Sequence, residues 1–200
     1  ERRAVDRGPD RRPGGGEGRE AHRPGRGELA LSGLLLETER LILRALTSDD
    51  LDEMATLLGD AEALVLWGGP LDRDGARAWI ERNMARYASH GFGRCAVIWR
   101  ETGELVGDCG LVPTTVEGVD EVELGWITRR ASWGLGIATE AGAAWRDFGL
   151  DVLGLERIVS MISAGNPASR RVAEKLGFTV EREAMWADLP HLMYVLERSR

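Results

Sequence analysis

The stretch Glu123-Leu124-Gly125-Trp126-Ile127-Thr128-Arg129-Arg130-Ala131-Ser132-Trp133-Gly134-Leu135-Gly136-Ile137-Ala138-Thr139-Glu140 most narrows what this chain can become. It reads as a strand, a tight turn and the start of a helix, with Gly134 and Gly136 at the helix entry. A helix begun this way leaves backbone N–H groups free at the positive end of its dipole. With no Cβ at either glycine, a bulky anion can approach those groups closely. Such an entry makes a cradle for a phosphate or pyrophosphate. Each anionic charge there gains roughly 0.3–1 kcal/mol from the dipole. An ordinary strand-to-helix turn that needs glycine is the competing reading.

Around this stretch the pattern is that of an α/β domain beginning near Leu34. Arg40–Arg44 is a short strand, and Ser48 or Asp49 caps a helix that ends at Gly59. A second helix is predicted from Arg73 to Ser89, where Ala76, Trp79, Ile80 and Met84 fall near helical spacing. Residues 92–99 and 105–112 form a hairpin about Glu101-Thr102-Gly103, and Glu121–Thr128 is a further strand. After the glycine turn, a helix runs to Phe148. Strands are then predicted at 157–163, 178–183 and 189–197, with a helix at 168–176. A dinucleotide fingerprint fails, because its third small position falls on Thr139 and its strand follows a hairpin. A Walker loop is excluded, since the only lysine is Lys175.

Composition removes other classes. Two cysteines, Cys95 and Cys109, make no disulfide scaffold or four-cysteine zinc module, and both read as buried, inert thiols. The three histidines lie far apart, so no metal site is expected, and His191 reads as structural. No apolar run reaches the ~18 residues of a membrane span. Leu29–Leu36 resembles a signal-peptide core but is short, flanked by Glu28 and Glu37 and without a small-x-small cleavage site, so a cytoplasmic protein is expected. Residues 1–33 read as a disordered Arg/Gly/Pro-rich segment, and 34–200 as the folded domain. The net charge is −7 although residues 1–28 carry +2. An acidic body makes nucleic acid an unlikely partner and suits a cationic, amine-bearing one. A basic arm that docks on RNA is the contrary reading of residues 1–27.

Downstream lies Asn166-Pro167-Ala168-Ser169-Arg170-Arg171-Val172-Ala173-Glu174-Lys175-Leu176-Gly177-Phe178. Capping alone explains Asn166 and Pro167, and Leu176-Gly177-Phe178 is a helix stop. Together with the glycine cradle, however, this element resembles motifs A and B of the GNAT N-acetyltransferase superfamily. The closest likeness is to the ribosomal-protein-alanine acetyltransferase (RimJ/RimL-like) branch, whose opening strand Glu37–Arg44 resembles. The resemblance covers about Leu34 to Glu197. It implies a twisted, mostly antiparallel sheet with two splayed parallel strands and helices on both faces. One departure is Ala131, where the superfamily often has Gln or Arg, so a pyrophosphate would lean on backbone amides, with Arg129 or Arg130 as candidate helpers.

The resemblance further implies transfer of acetyl from acetyl-CoA to a primary amine, on a small molecule or a protein N-terminus, by direct attack in a ternary complex. By motif position, the main chain of Trp126 and Thr128 would bond the acetyl carbonyl and pantetheine. The amides of Trp133, Gly134, Leu135, Gly136, Ile137 and Ala138 would hold the pyrophosphate. The Asn166 side chain would bond the pantetheine arm. Glu123 is the candidate base, acting through a water, and Ser169 the candidate acid. Many relatives place a tyrosine where Val172 and Ala173 stand here. The acceptor would be set by Leu66–Pro70 and by the segment from Trp186 to His191. A homodimer stays open, and a non-catalytic acyl-CoA sensor is the alternative function.

Overall fold

The computed structural model describes residues 34–186 and 189–198; the segment 1–33, expected to be disordered, lies outside them. Eight strands form one sheet in the order β1-β2-β3-β4-β5-β6-β8-β7. They are β1 (Leu34–Glu37), β2 (Leu41–Ala45), β3 (Arg94–Trp99), β4 (Leu105–Val116), β5 (Val119–Thr128), β6 (Arg157–Ile162), β7 (Thr179–Trp186) and β8 (Leu189–Glu197). All neighbours pair antiparallel except β5 and β6, which run parallel. The expected mixed α/β architecture is thus the observed one.

Five helices cover the sheet among the described residues: α1 (Leu51–Leu58), α2 (Ala61–Leu64), α3 (Arg73–His90), α4 (Ile137–Asp147) and α5 (Pro167–Lys175). On one face, Met54, Leu57 and Leu58 of α1 and Ile80 of α3 pack on Ala96, Ile98 and Ile127. On the other, Ile137, Ala141 and Trp145 of α4 recur every fourth residue, none more than 1% exposed, against Val97, Leu111 and Leu124. Fully burying such a side chain stabilises by roughly 1.5–3 kcal/mol, so this stripe fixes where the N-terminus of α4 points. Helix α5 lies close beside it. A Cβ on Gly142 would come within 2.8 Å of Leu176 Cδ1, so glycine permits the approach.

Two stretches differ from the sequence expectation. Strands β4 and β5 extend as a long hairpin through Pro113↔Val122 to Val116↔Val119. Pro113 argues against a central strand, but β3 stops pairing at Gly110, so Pro113 has a strand neighbour on one side only. The tip, Glu117 and Gly118, takes positive φ at both residues, as a tight hairpin turn demands. The unforeseen helix α2 follows Asp60, whose side chain accepts from the amides of Glu62 at 3.0 Å and Ala63 at 3.2 Å. Among the described residues no helix is long and apolar enough to cross a membrane.

Candidate active site

The parallel pair β5–β6 has a single registered contact, Glu123↔Val159. Beyond it the strands part while β5 continues to Thr128 alongside β4. Into that gap opens a cleft of about 560 Å³ lined by Trp126, Thr128, Gly134, Gly136, Asn166 and Ser169, among others. The two sequence elements, some 30 residues apart in the chain, therefore share one site. It is walled by the entry of α4 on one side and of α5 on the other.

At the α4 entry, Gly134 and Gly136 have φ of 78° and 81°, conformations that L side chains rarely adopt. A Cβ built on Gly134 meets nothing within 4 Å, so it would project into open space that a ligand can use. The amides of Gly134, Gly136, Ile137 and Ala138 have no acceptor among the described residues, as a helix start leaves them. Those of Trp133 and Leu135 are turned inward, to the carbonyls of Arg130 at 3.0 Å and Ser132 at 3.4 Å. The cradle is therefore narrower than the run of six amides expected from the sequence. The Trp133 indole also donates to the Thr128 carbonyl at 3.1 Å.

The arginines expected to help are engaged elsewhere. Arg129 pairs with Glu53 and Glu104. Arg130 pairs with Asp60 at 2.7 Å and Glu62 at 2.6 Å. Both tie the cradle loop to α1 and α2 rather than pointing free charge at an anion. The cations that do line the cleft, Arg171 and Lys175, stand one turn apart on α5. Sequence reasoning also missed the brace under the cradle. Glu140 accepts from Thr38 Oγ1 at 2.6 Å and from Arg40 Nε at 2.7 Å, while Arg40 Nη1 donates to the Leu135 carbonyl at 3.0 Å. Burial works against the Glu140 carboxylate, yet these bonds hold its pKa below the ordinary range.

At the second entry Asn166 Oδ1 accepts from the Ser169 amide at 3.0 Å and so caps α5. The cap uses the oxygen, which leaves Nδ2 as a spare donor on a residue that lines the cleft. The Ser169 hydroxyl lines the same cleft without a partner among the described residues. Tyr194, one of only two tyrosines, has its hydroxyl between Arg170 at 3.2 Å and Glu174 at 3.3 Å.

The cleft continues into a narrow cavity of about 20 Å³ that reaches Glu123. This carboxyl is 4% exposed. Burial pushes its pKa from an ordinary 4.5 up to about 7, against the pull of Arg94, the Met161 amide and Arg86. Beside it Arg94, 3% exposed, is ion-paired with the fully buried Asp108. Glycine at 125 leaves room for Arg94 here, because a Cβ would meet Arg94 Nη1 and force that guanidinium to shift. His191, expected to be structural, lines this cavity with Trp67 and Trp186. Cys95 and Cys109 face each other across β3 and β4, both buried, and burial pushes Cys109 up to about 12 and Cys95 well above its ordinary value.

A parallel pair splayed over an open glycine cradle is what an acyl-CoA enzyme of one family would need, and the comparisons agree. The family described as an acetyltransferase (GNAT) domain matches residues 40–179. The chain is a GNAT acetyltransferase. It is 34% identical over 146 residues to the uncharacterized protein YkkB of Bacillus subtilis, across 71% of this chain and 83% of YkkB. The GNAT fold superposes on an acetyltransferase from Agrobacterium tumefaciens with a TM-score of 0.73 and 31% identity, covering 82% of this chain and 94% of that one. An aminoglycoside acetyltransferase, AAC(6′)-Ib, solved in complex with coenzyme A, is similar in fold, with a TM-score of 0.64 and 18% identity over 79% and 95% of the two chains. Membership in the family makes this GNAT chain an acyltransferase, and the non-catalytic sensor reading gives way.

Proposed function

We propose that the chain transfers acetyl from acetyl-CoA to a primary amine, by direct attack while both substrates are bound. One observation carries this reading. Glu123 is a buried carboxyl with a pKa of about 7, in a cavity that also touches Trp126, Asn166 and Ser169. A base poised near neutrality beside the acyl-binding strand is what amine acylation requires.

The free amides of Gly134, Gly136, Ile137 and Ala138 would take the pyrophosphate, with Trp133 and Leu135 shaping the loop that presents them. Asn166 Nδ2 would donate to the pantetheine arm, and the main chain of Trp126 and Thr128 would bond the acetyl carbonyl and pantetheine. Acetyl-CoA supplies an electrophilic thioester carbonyl and a thiolate leaving group. As the new C–N bond forms and the C–S bond breaks, Glu123 receives the ammonium proton. A cavity of about 20 Å³ has room for roughly one relaying water. Ser169 would offer a proton to the departing sulfur.

The magnitudes favour a weakly basic acceptor. Moving a proton from an α-ammonium of pKa ~7.8 to a base near 7 costs about 1 kcal/mol, whereas a lysine-type amine at ~10.4 costs nearly ~5. This fits a RimJ/RimL-like N-terminal acetyltransferase acting in the cytoplasm, the branch its opening strand resembles. The test is calorimetric titration with CoA, followed by acetyl-CoA turnover read as free-thiol release with and without an amine. Heat on binding and amine-dependent thiol release support the reading; binding with no amine-dependent release overturns it.

A further inference from the structure

The acceptor end of the cavity carries chemistry of its own. Around Glu123 stand Leu66, Trp67, Met161, Trp186 and His191. Among the described residues Glu123 is the only acidic side chain in that lining, and no lysine or arginine joins it. We propose that the acceptor is a monoamine on an apolar or aromatic body, its single ammonium held beside the paired indoles of Trp67 and Trp186 and passing its proton to Glu123 through the intervening water. The inference rests on the acetyl-transfer reading above and names its substrate class.

Several observations converge on it. The aromatic wall is built rather than incidental. Trp67 and Trp186 meet edge to face with centroids 6.4 Å apart, and Trp186 meets His191 in the same way at 5.3 Å. The Trp186 indole is held by Thr114 Oγ1 at 3.3 Å. Trp67 is held by the Arg94 guanidinium, which lies 5.3 Å from its ring centroid and 5.3 Å from that of Trp79. Asp108 completes the support by pairing with Arg94 and accepting from the Trp79 indole at 3.0 Å. Rings fixed in this way can hold a cation on a face that Arg94 does not occupy, without needing a second acid.

Charge then counts against the rivals. A polyamine or an amino sugar drawn wholly into the cavity needs several anions to replace the water it loses, and the described lining offers one carboxyl for one ammonium. A free amino acid would bring its carboxylate beside Glu123, where like charges repel. Arg94 is the nearest cation to offer relief, but Asp108 neutralises it and its unpartnered Nη2 is buried out of reach of solvent. His191 donates from Nδ1 to the Leu189 carbonyl at 3.0 Å, which leaves Nε2 as the ring's other polar atom. The described part of the rim carries exposed apolar side chains as well. Val65, Leu66, Met185 and Leu189, on the segments that carry Trp67 and Trp186, are 65%, 37%, 52% and 51% exposed.

The experiment compares thiol release, at fixed acetyl-CoA, from phenylalaninamide, phenethylamine, a peptide with N-terminal phenylalanine, spermidine, kanamycin and free phenylalanine. Calorimetric titration of phenylalaninamide into the CoA-bound enzyme gives a binding readout independent of turnover. Preference for the first three over the last three is expected, and their ranking separates a peptide N-terminus from a small amine. Trp186→Ala should raise KM for phenylalaninamide about tenfold, with most of the affinity recovered in Trp186→Phe and the CoA dissociation constant retained in both. Release driven best by spermidine, kanamycin or free phenylalanine overturns the monoamine assignment while leaving acetyl transfer intact. Failure to bind CoA, or CoA binding without release by any amine, overturns both.

Discussion

The two ends of the active-site cleft are made from different materials. At the end proposed for the cofactor the working atoms are main-chain amides, presented where Gly134 and Gly136 hold positive φ at the start of α4. At the end proposed for the acceptor they are side chains, Glu123, Trp67, Trp186 and His191, brought from four separate elements to one cavity. A main-chain site is specified by where a helix starts and by what lacks a Cβ, so it needs a rigid helix under it. Trp145, Ala141 and Ile137 supply that from the core. A side-chain site can change its preference by substitution at any of its positions and leave the sheet untouched. One enzyme can thus keep a fixed acyl donor and vary its acceptor.

Substitutions that strike one end alone test this division. The largest effect is expected for Glu123→Gln, which keeps size and burial but removes the base. Activity should fall about 10²–10⁴-fold, with the calorimetric affinity for CoA little changed. The pH profile supplies a second reading. With the carboxyl at about 7, kcat/KM of the native enzyme should rise through that pH and level off above it. Stability should move the other way. The native state keeps the Glu123 proton to higher pH than the unfolded chain, so stability declines as pH rises from about 4.5 to about 7. Glu123→Gln should lose that decline, and a thermal melt at pH 8 against one at pH 5 measures it. Equal pH dependence in both proteins would contradict the raised carboxyl.

Next comes Gly134→Val, at the other end. Its Cβ would stand in the open mouth of the cradle at a φ of 78°, so the CoA dissociation constant should rise by about tenfold or more. KM for the amine should move far less. A comparable loss in both would mean that the two ends are coupled. Gly125→Ala is the matching change at the acceptor end, because the added methyl displaces Arg94 from beneath Trp67. An overpacked core costs about 1–3 kcal/mol, which a melt will show. The functional expectation is a several-fold rise in amine KM with CoA affinity retained.

The same difference in material explains what could be read before the fold was known. The α4 entry is contiguous, and glycine spacing after a strand is a local signal, so Gly134, Gly136 and the cap at Asn166 were legible as a pair. Glu123 was legible only as a carboxyl on the right strand; nothing local says that it is buried or lifted to about 7. The Arg94–Asp108 pair joins residues 14 positions apart on neighbouring strands, and its contact with Trp67 depends on how α2 and the turn after it pack. His191 looked structural because a lone histidine in a strand has no local partner to reveal it. Arg129 and Arg130 show the opposite case. Their nearness to the cradle in sequence suggested phosphate contacts, but their acids come from α1, α2 and the β3–β4 turn.

Ser169→Ala is the smallest expected effect, and it probes the seam between the two ends. Ser169 lines both the cleft and the narrow cavity, and its hydroxyl has no partner among the described residues. Its backbone amide, which completes the cap of α5, survives the substitution, so stability should change by less than about 0.5 kcal/mol. A thiolate leaves tolerably without a proton, since its conjugate thiol has a pKa near ~8.5. Donation by Ser169 therefore contributes only where departure of sulfur limits the rate. With a good nucleophile kcat should drop by less than about tenfold, and more steeply at high pH, where solvent protons are scarce. A loss as deep as that of Glu123→Gln would instead place the demanding proton transfer at the sulfur, and the acceptor end would no longer govern the rate.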